Sequence, residues 1–348
     1  MLQHNLVGIG NQLDIYTQNC IKNSEIPSHL NAMRKAAECH RLVRSVLQKQ
    51  LKPGIAFREI SKIVNDETIK YFGEDSINCG IGFPLGINVN HIAAHDSANP
   101  GDNRTIMQDD IFSIDIGIHN NGYIIDSAFT TAFDKKYLPL INSTKEATWK
   151  AIKLAGPDVR LLELSQVIQE TIESFEIDIN NKSHAIHAVR NLGGHNIEQY
   201  KIHAGKIILS VPDVKSQEGQ KMKEGEVYAI ETFATSGNTG LLKLDFDAPC
   251  NHFMKKFDAP RSDLKLNITK KLLYSINGEK QTLPFSAEWA FNKVGNSFKI
   301  ATNDLYKKGI IEIFPPIVDK IGTFTSQLEH TIYIHNKGTE ILSLGTDY

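Results

Sequence analysis

Two stretches of this sequence, IFSIDIGI (111–118) and YIIDSAFTTAF (123–133), are apolar enough for interior β-strands, yet each carries one aspartate. The four residues between them, His119-Asn120-Asn121-Gly122, have the composition of a hairpin turn. A carboxylate among isoleucines is costly unless it is paired, hydrogen-bonded or bound to a metal. A turn centred on Asn120-Asn121 puts Asp115 and Asp126 directly opposite one another, with Cβ atoms about 5 Å apart. Two unpaired carboxylates that close repel, and a proton is forced onto one of them. A divalent cation, or a pair of them, removes the conflict. Backbone hydrogen bonds would account for one buried aspartate more easily than for two that face each other.

Further acids repeat the pattern. Glu231 ends the apolar run Val227-Tyr228-Ala229-Ile230, and Glu329 sits in Gln327-Leu328-Glu329-His330-Thr331-Ile332. His195 follows Gly193-Gly194, where glycines let the backbone approach a site closely. One histidine in a glycine-rich loop is more often structural; the set of five residues is what makes it a candidate ligand. Four carboxylates and one imidazole suit Mn, Fe, Co or Zn, and two ions rather than one. His95 and His203 could each donate a proton or a hydrogen bond to a substrate, and each could equally be a satisfied core histidine. His91 and His95 have helical zinc spacing, but no H-E-x-x-H surrounds them, so that site is set aside.

Residues 1–27 read as a short polar arm ending at Pro27. Ser28 is the expected N-cap of a helix running to about Leu51, which Lys52-Pro53-Gly54 stops. A second helix is expected over 57–72. The pairing recurs about a hundred residues later. Ser143-Thr144-Lys145-Glu146 has capping-box spacing for a helix to about Ala155, and another helix is expected over 160–175. Glu59-Ile60-Ser61-x-Ile63-Val64 resembles Glu163-Leu164-Ser165-x-Val167-Ile168, and Thr68-Ile69-x-x-Phe72 resembles Thr171-Ile172-x-x-Phe175. Two similar halves around a shared site follow, against the plainer reading of two alike amphipathic helices. Val227–Phe233 and Leu328–His335 read as further strands. Between them, 236–324 reads as an inserted helical subdomain, centred on about 245–320, with helical patterns near 268–276, 285–294 and 301–308. Three short helices could suggest a DNA reader, but no basic recognition helix stands out.

Lys and Arg total 38 against 40 Asp and Glu, a formal net charge of −2, which gives no bulk electrostatic reason to bind nucleic acid or an anionic membrane. The four cysteines, Cys20, Cys39, Cys79 and Cys250, form no C-x-x-C pair, so neither a disulfide framework nor a thiolate zinc site is expected. No apolar run is long enough to span a bilayer. The first residues lack the basic-then-apolar plan of a secretory signal, and a cytoplasmic protein is expected.

Asp115, Asp126, His195, Glu231 and Glu329, at successive spacings of 11, 69, 36 and 98, occur in the order and contexts of the methionine aminopeptidases. Phe83-Pro84, Ala93-Ala94-His95, Arg190-Asn191-Leu192, Ile202-His203-Ala204-Gly205-Lys206 and Glu224 to Phe233 resemble the type 2, eukaryotic and archaeal branch. So does the long segment between Glu231 and Glu329. The resemblance covers about 28–348. It implies an α+β pita-bread (creatinase/aminopeptidase) fold: two pseudo-symmetric α/β halves around an antiparallel sheet, holding two divalent metal ions. By carry-over, Asp115 binds one ion, His195 and Glu231 the other, and Asp126 and Glu329 bridge both. His95 and His203 act at the scissile region, with His95 the group that fumagillin-type epoxides alkylate. Phe83, Ile202, Phe233 and His252 line the methionine pocket. The implied reaction is removal of methionine from nascent proteins and peptides with a small second residue, by a metal-activated hydroxide, with Glu231 shuttling the proton.

The sequence departs from the family at Ser113, where type 2 relatives commonly have Lys, and at Asp96-Ser97-Ala98, where an aromatic residue, then Thr or Ser and Pro, is usual. The long charged N-terminal extension of many eukaryotic relatives is missing, so a ribosome contact is only weakly expected; a monomer is. Two rivals share the fold. X-Pro aminopeptidases and prolidases have a similar ligand set but not the Ile202-His203-Ala204-Gly205 context or the long insertion. Non-catalytic homologues that bind RNA or proteins have lost ligands that are all present here.

Overall fold

The computed structural model describes residues 27–348 except residue 337; residues 1–26 of the expected arm, Cys20 among them, lie outside the described residues. Helix α1 (Ser28–Gln50) and helix α2 (Phe57–Phe72) pack against a four-stranded antiparallel half-sheet. That half-sheet contains β1 (Cys79–Ile81), β2 (Gly86–Val89), β4 (Ile111–Asn120) and β5 (Tyr123–Ala132), while β3 (Ile92–Ala94) pairs elsewhere. Ser28 is not the N-cap of α1. Pro27 holds that position in an extended conformation, with no side-chain cap, and Ser28 is the first helical residue. Leu30, Val43 and Ile60 of the two helices share one buried apolar cluster with Ile114, Ile116 and Ile125 of the strands.

The hairpin β4–β5 turns one position later than expected. Asn120 pairs with Tyr123, so the loop is Asn121-Gly122, and both residues have positive φ, 52° and 76°. Asn-Gly is the sequence that tolerates positive φ at both central positions of a type I′ turn, and it wins over Asn-Asn. The partner of every residue therefore shifts by two. Asp115 lies opposite Ala128 and Asp126 opposite Gly117, not opposite each other. A shift of two preserves the face, so the aspartates are diagonal neighbours on one side of the sheet.

The second half repeats the plan. Helix α3 (Leu138–Leu154) and helix α4 (Leu161–Ile172) pack on a sheet in the order β7 (Ile207–Leu209), β6 (Gly193–Ile197), β8 (Val227–Thr235), β9 (Thr325–His335), β10 (Gly338–Ile341). Ser143 does not open α3. The helix begins at Leu138 with Pro139 in its first turn, after a short 3-10 turn at which the Asp134 side chain accepts from the Lys136 N–H. The Ser143 and Thr144 hydroxyls bond back to the Leu140 and Ile141 carbonyls instead. Ala147, Ile152, Leu164 and Ile168 bury against Tyr228, Ile230 and Ile332.

The halves meet along β5 and β9, which belong to different sheets, and side-chain hydroxyls join the two strands. Thr331 Oγ1 accepts from the Asp126 N–H at 2.8 Å and donates to the Asp126 carbonyl at 2.6 Å. Ser127 Oγ donates to the Glu329 carbonyl at 2.7 Å. Thr130 Oγ1 donates to the Gln327 carbonyl and accepts from its N–H, both at 2.8 Å.

The segment between β8 and β9 is not only helical. It carries helices α5 (Asn267–Ser275), α6 (Ala287–Val294) and α7 (Phe298–Lys307) around its own core of Leu272, Phe285, Ala301 and Leu305. It also carries a three-stranded sheet of His252–Lys255, Phe285–Ser286 and Ile311–Phe314, and two short strands, Lys243–Leu244 and Ile317–Val318, that join β3. Among the described residues, no helix is long and apolar enough to cross a membrane.

Candidate metal centre and substrate pocket

Five side chains, one from each of five strands, converge at the seam. Asp115 comes from β4, Asp126 from β5, Glu231 from β8 and Glu329 from β9, while His195 lies on β6. Glu231 and Glu329 are paired across the β8–β9 ladder, and His195 pairs with Ala229, two residues before Glu231. His195 reaches this point because its neighbours are glycines. A Cβ on Gly194 would stand 2.4 Å from the Ala229 carbonyl oxygen, and one on Gly193 would stand 2.2 Å from that of Ile208.

Ligand atoms of Asp126, His195 and Glu329 all lie within 4.8 Å of one another, and all three residues are buried. His195 Nε2 is 3.6 Å from Asp126 Oδ2 and 3.5 Å from Glu231 Oε1. These separations are long for hydrogen bonds. They are close to the roughly 3.3 Å between ligands that share a tetrahedral ion with bonds of about 2 Å.

Hydrogen bonding tests the fit independently. Asp115 Oδ1, Asp126 Oδ1 and both carboxylate oxygens of Glu329 are buried with no protein donor. Buried polar atoms are nearly always partnered, so four orphan acceptors in one place need a cation or protons. Burial raises Asp115 to about 6, with hydrogen bonds from Gln327 and Asp126 pulling the other way. Burial first, then the neighbouring acids, pushes Asp126, Glu231 and Glu329 well above the ordinary carboxylate range. Desolvation holds His195 well below its usual pKa, leaving the neutral imidazole that a metal requires. The donor set therefore fits the hard to borderline divalent ions expected of it.

His203 stands edge-on to His195, ring centroids 4.4 Å apart. It is open to solvent, yet enough protein surrounds the ring for desolvation to lower its pKa. His95 has φ of +67°, a backbone conformation that aims it out of the end of β3, and its Nδ1 is buried without a partner. Burial, then His203, brings His95 down to about 4. Its ring lies 5.4 Å from that of His252 and 5.7 Å from that of Phe314. His252 Nδ1 is held 2.9 Å from Asn251 Oδ1.

Phe83 and Ile202 share one apolar cluster, and Phe233 lies in a smaller one with Ala93 and Ala94, next to His95. Phe83 lies over Gly117, the residue opposite Asp126; a Cβ there would meet the ring at 2.2 Å. Phe83 is thus tied to the strands of Asp115 and Asp126, and His252 to His95 by ring contact, while Ile202 and Phe233 are placed only by the two apolar clusters they belong to.

At the divergent loop, the buried Asp96 carboxylate accepts from Arg104 at 2.6 and 3.0 Å and from Asn251 Nδ2 at 3.4 Å. Ser113 accepts from Asn88 Nδ2 at 3.1 Å.

Sequence reasoning missed Gln327. Its Nε2 donates to Glu231 Oε2 at 3.2 Å, its Oε1 is buried without a partner, and it lies near enough to Asp115 to lower the pKa of that carboxyl. The available signal was spacing: 327 and 329 share one face of a strand.

The model of metallopeptidase family M24 matches residues 31–255. The chain is 43% identical over 319 residues to methionine aminopeptidase 2 of Schizosaccharomyces pombe, covering 91% of this chain and 73% of that one. It is 41% identical over 321 residues to methionine aminopeptidase 2 of Komagataella phaffii, covering 91% and 70%. A thermophilic Arx1 structure superposes with a TM-score of 0.78 at 15% identity, covering 93% of each chain. The methionine aminopeptidase structure from Thermotoga maritima gives 0.62 at 19% identity, covering 93% of this chain and 99% of that one. At such identities these two likenesses speak for the pita-bread fold alone. The chain belongs to metallopeptidase family M24, among its type 2 methionine aminopeptidases.

Proposed function

We propose that the protein removes methionine from the N-terminus of peptides and nascent proteins, using two divalent ions held by Asp115, Asp126, His195, Glu231 and Glu329. The observation that carries this reading is the cluster of buried, unpartnered carboxylate oxygens at the seam. When bound, such a pair of ions supplies Lewis acidity at the scissile carbonyl and brings the pKa of a water near neutrality.

The remaining work falls to side chains. Glu231, whose Oε2 accepts from Gln327 Nε2 at 3.2 Å, would take a proton from the attacking water and return it to the leaving amine. His203 and His95, neutral at pH 7, donate N–H groups toward developing negative charge on the carbonyl oxygen. Phe83, Ile202 and Phe233, with the His252 ring, are all buried and would wall the thioether side chain, and a small second residue is the preference that follows for the substrate. His95 is the residue that a fumagillin-type epoxide would alkylate. We take the catalytic unit as 28–348, a cytoplasmic monomer, with the ion drawn from Mn, Fe, Co or Zn.

Retention of all five ligands supports catalysis over a purely binding role. The test is methionine release from Met-Ala-Ser by chelator-stripped protein as Mn, Co, Fe or Zn is added back, beside an X-Pro peptide and Glu231→Gln. Metal-dependent release from Met-Ala-Ser, lost in Glu231→Gln, is expected. Preference for X-Pro would transfer the protein to the prolidase reading, and folded protein inactive with every ion would abolish the catalytic one.

A further inference from the structure

We propose that Tyr348 is a positioning residue for the candidate metal centre: through Ser127, its hydroxyl sets the distance between the strands that carry Asp126 and Glu329. The inference rests on the reading that those two carboxylates hold metal.

Ser127 is fully buried, and its neighbour Asp126 points to the opposite face of β5. Its Oγ donates to the Glu329 carbonyl at 2.7 Å and lies 3.1 Å from the Tyr348 hydroxyl oxygen. A serine hydroxyl has one proton. That proton is committed to Glu329, so Tyr348 must be the donor to Ser127. The chain Tyr348 to Ser127 to Glu329 thus runs in one direction, each donor polarised by the next. Desolvation keeps the tyrosine proton in place across the working pH range.

The location matters because β5 and β9 belong to separate sheets. Their spacing depends on hydroxyl links, and the Ser127 link ties the backbone beside Asp126 to the backbone of Glu329 itself. Tyr348 is in turn firmly held. The Arg44 guanidinium lies 4.1 Å from its ring centroid, and Phe129 and His330 flank it at 5.7 and 5.0 Å. Arg44 is itself fully buried, bidentate on Asp347 at 2.5 and 2.7 Å and bonded to the Ser343 carbonyl at 3.1 Å. Arg44 is the buried member of this pair while Asp347 reaches solvent, and taking a guanidinium out of water is a costly anchor for a ring that apolar packing alone could hold. Fixing the hydroxyl accounts for it.

The test compares Tyr348→Phe and Ser127→Ala with Tyr137→Phe. Tyr137 is likewise a buried tyrosine, and its hydroxyl donates to the carbonyl of Asp109, outside the strands that carry the candidate ligands. Mn is titrated into stripped protein by calorimetry, the exchange-coupled Mn pair is followed by electron paramagnetic resonance, and each variant is melted. Tyr348→Phe and Ser127→Ala are expected to bind Mn about tenfold more weakly, with an altered pair signal. Tyr137→Phe is expected to melt lower with affinity and signal unchanged. If both Tyr348→Phe and Ser127→Ala melt lower but keep wild-type affinity and signal, the positioning role is refuted and the metal reading survives. If wild-type protein itself binds no pair of ions, both fail together.

Discussion

Glu231 and Glu329 face each other directly across the β8–β9 ladder, whereas Asp115 and Asp126 are offset by two residues across β4–β5. The two halves therefore share a plan but not a register. The glutamate pair is the tighter electrostatic conflict, since like charges directly opposite on one sheet face repel most strongly. In stripped protein near neutral pH, Glu329→Gln should relieve that conflict and stabilise the fold by about 1 kcal/mol. With metal restored, the same substitution should remove most of the metal-induced rise in Tm. Melting curves with and without ion test this, and stabilisation in both states would argue against Glu329 as a ligand.

Gln327 holds Glu231 in place. Gln327→Leu removes the donor to Glu231 Oε2 while keeping the volume similar. Groups that orient metal ligands typically cost about 10–100-fold when lost, and kcat/KM should fall by that much. Gln327→Glu should be worse, because it adds a fifth acid to a site whose existing carboxylates already resist ionisation. A pH–rate comparison of the two variants separates the effects. Equal kcat/KM in Gln327→Leu and wild type would remove Gln327 from the site.

What could be read in advance follows from how each residue conflicts with its surroundings. Asp115, Asp126, Glu231 and Glu329 are charges in apolar strands, a contradiction visible in one dimension. Ser127 is neutral and raises no such conflict in the strand it shares with Asp126, and Gln327 was marked only by its spacing of two from Glu329. Tyr348 and Arg44 are 304 positions apart, and only the closed fold brings them together. The Ser143 motif misled because spacing alone cannot say whether a hydroxyl caps a helix or bonds back within one. The hairpin register failed by two residues because Asn121-Gly122 competed with Asn120-Asn121, and backbone preference at positive φ decided it.

Asp115 should give a pH-dependent stability difference. Its folded pKa, about 6, lies above the usual value of 3.8. The fold thus favours the protonated form, and stability is lost as pH rises from about 4 through about 6. Asp115→Asn cannot ionise. In stripped protein it should match wild type near pH 4 and exceed it by roughly 1–3 kcal/mol at pH 7.5. In loaded protein it should be the less stable of the two. Denaturant melts at both pH values check the sign, and a constant difference across pH would contradict it.

His40 gives the opposite slope. It is fully buried under β4, with Nε2 3.0 Å from the Ile116 carbonyl and Nδ1 3.4 Å from Arg44 Nη1. Nε2 must donate to the carbonyl, and Nδ1 must accept from the guanidinium, so both contacts require the neutral ring. Burial, then the Arg44 charge, lowers its pKa from 6.5 to about 3. A depressed folded pKa means the unfolded chain binds the extra proton between those values. The stability is therefore complete above about 6.5 and drains away as pH falls toward 3, at about 1.4 kcal/mol per pH unit for one proton. His40→Gln keeps a donor for Ile116 and an acceptor for Arg44 without titrating. It should cost stability at pH 7.5 yet lose less on acidification, its slope between pH 6 and 4 shallower than wild type by about one proton. An unchanged slope in urea melts over that range would mean that the acid sensitivity of the fold arises from other buried imidazoles, such as His330 and His119.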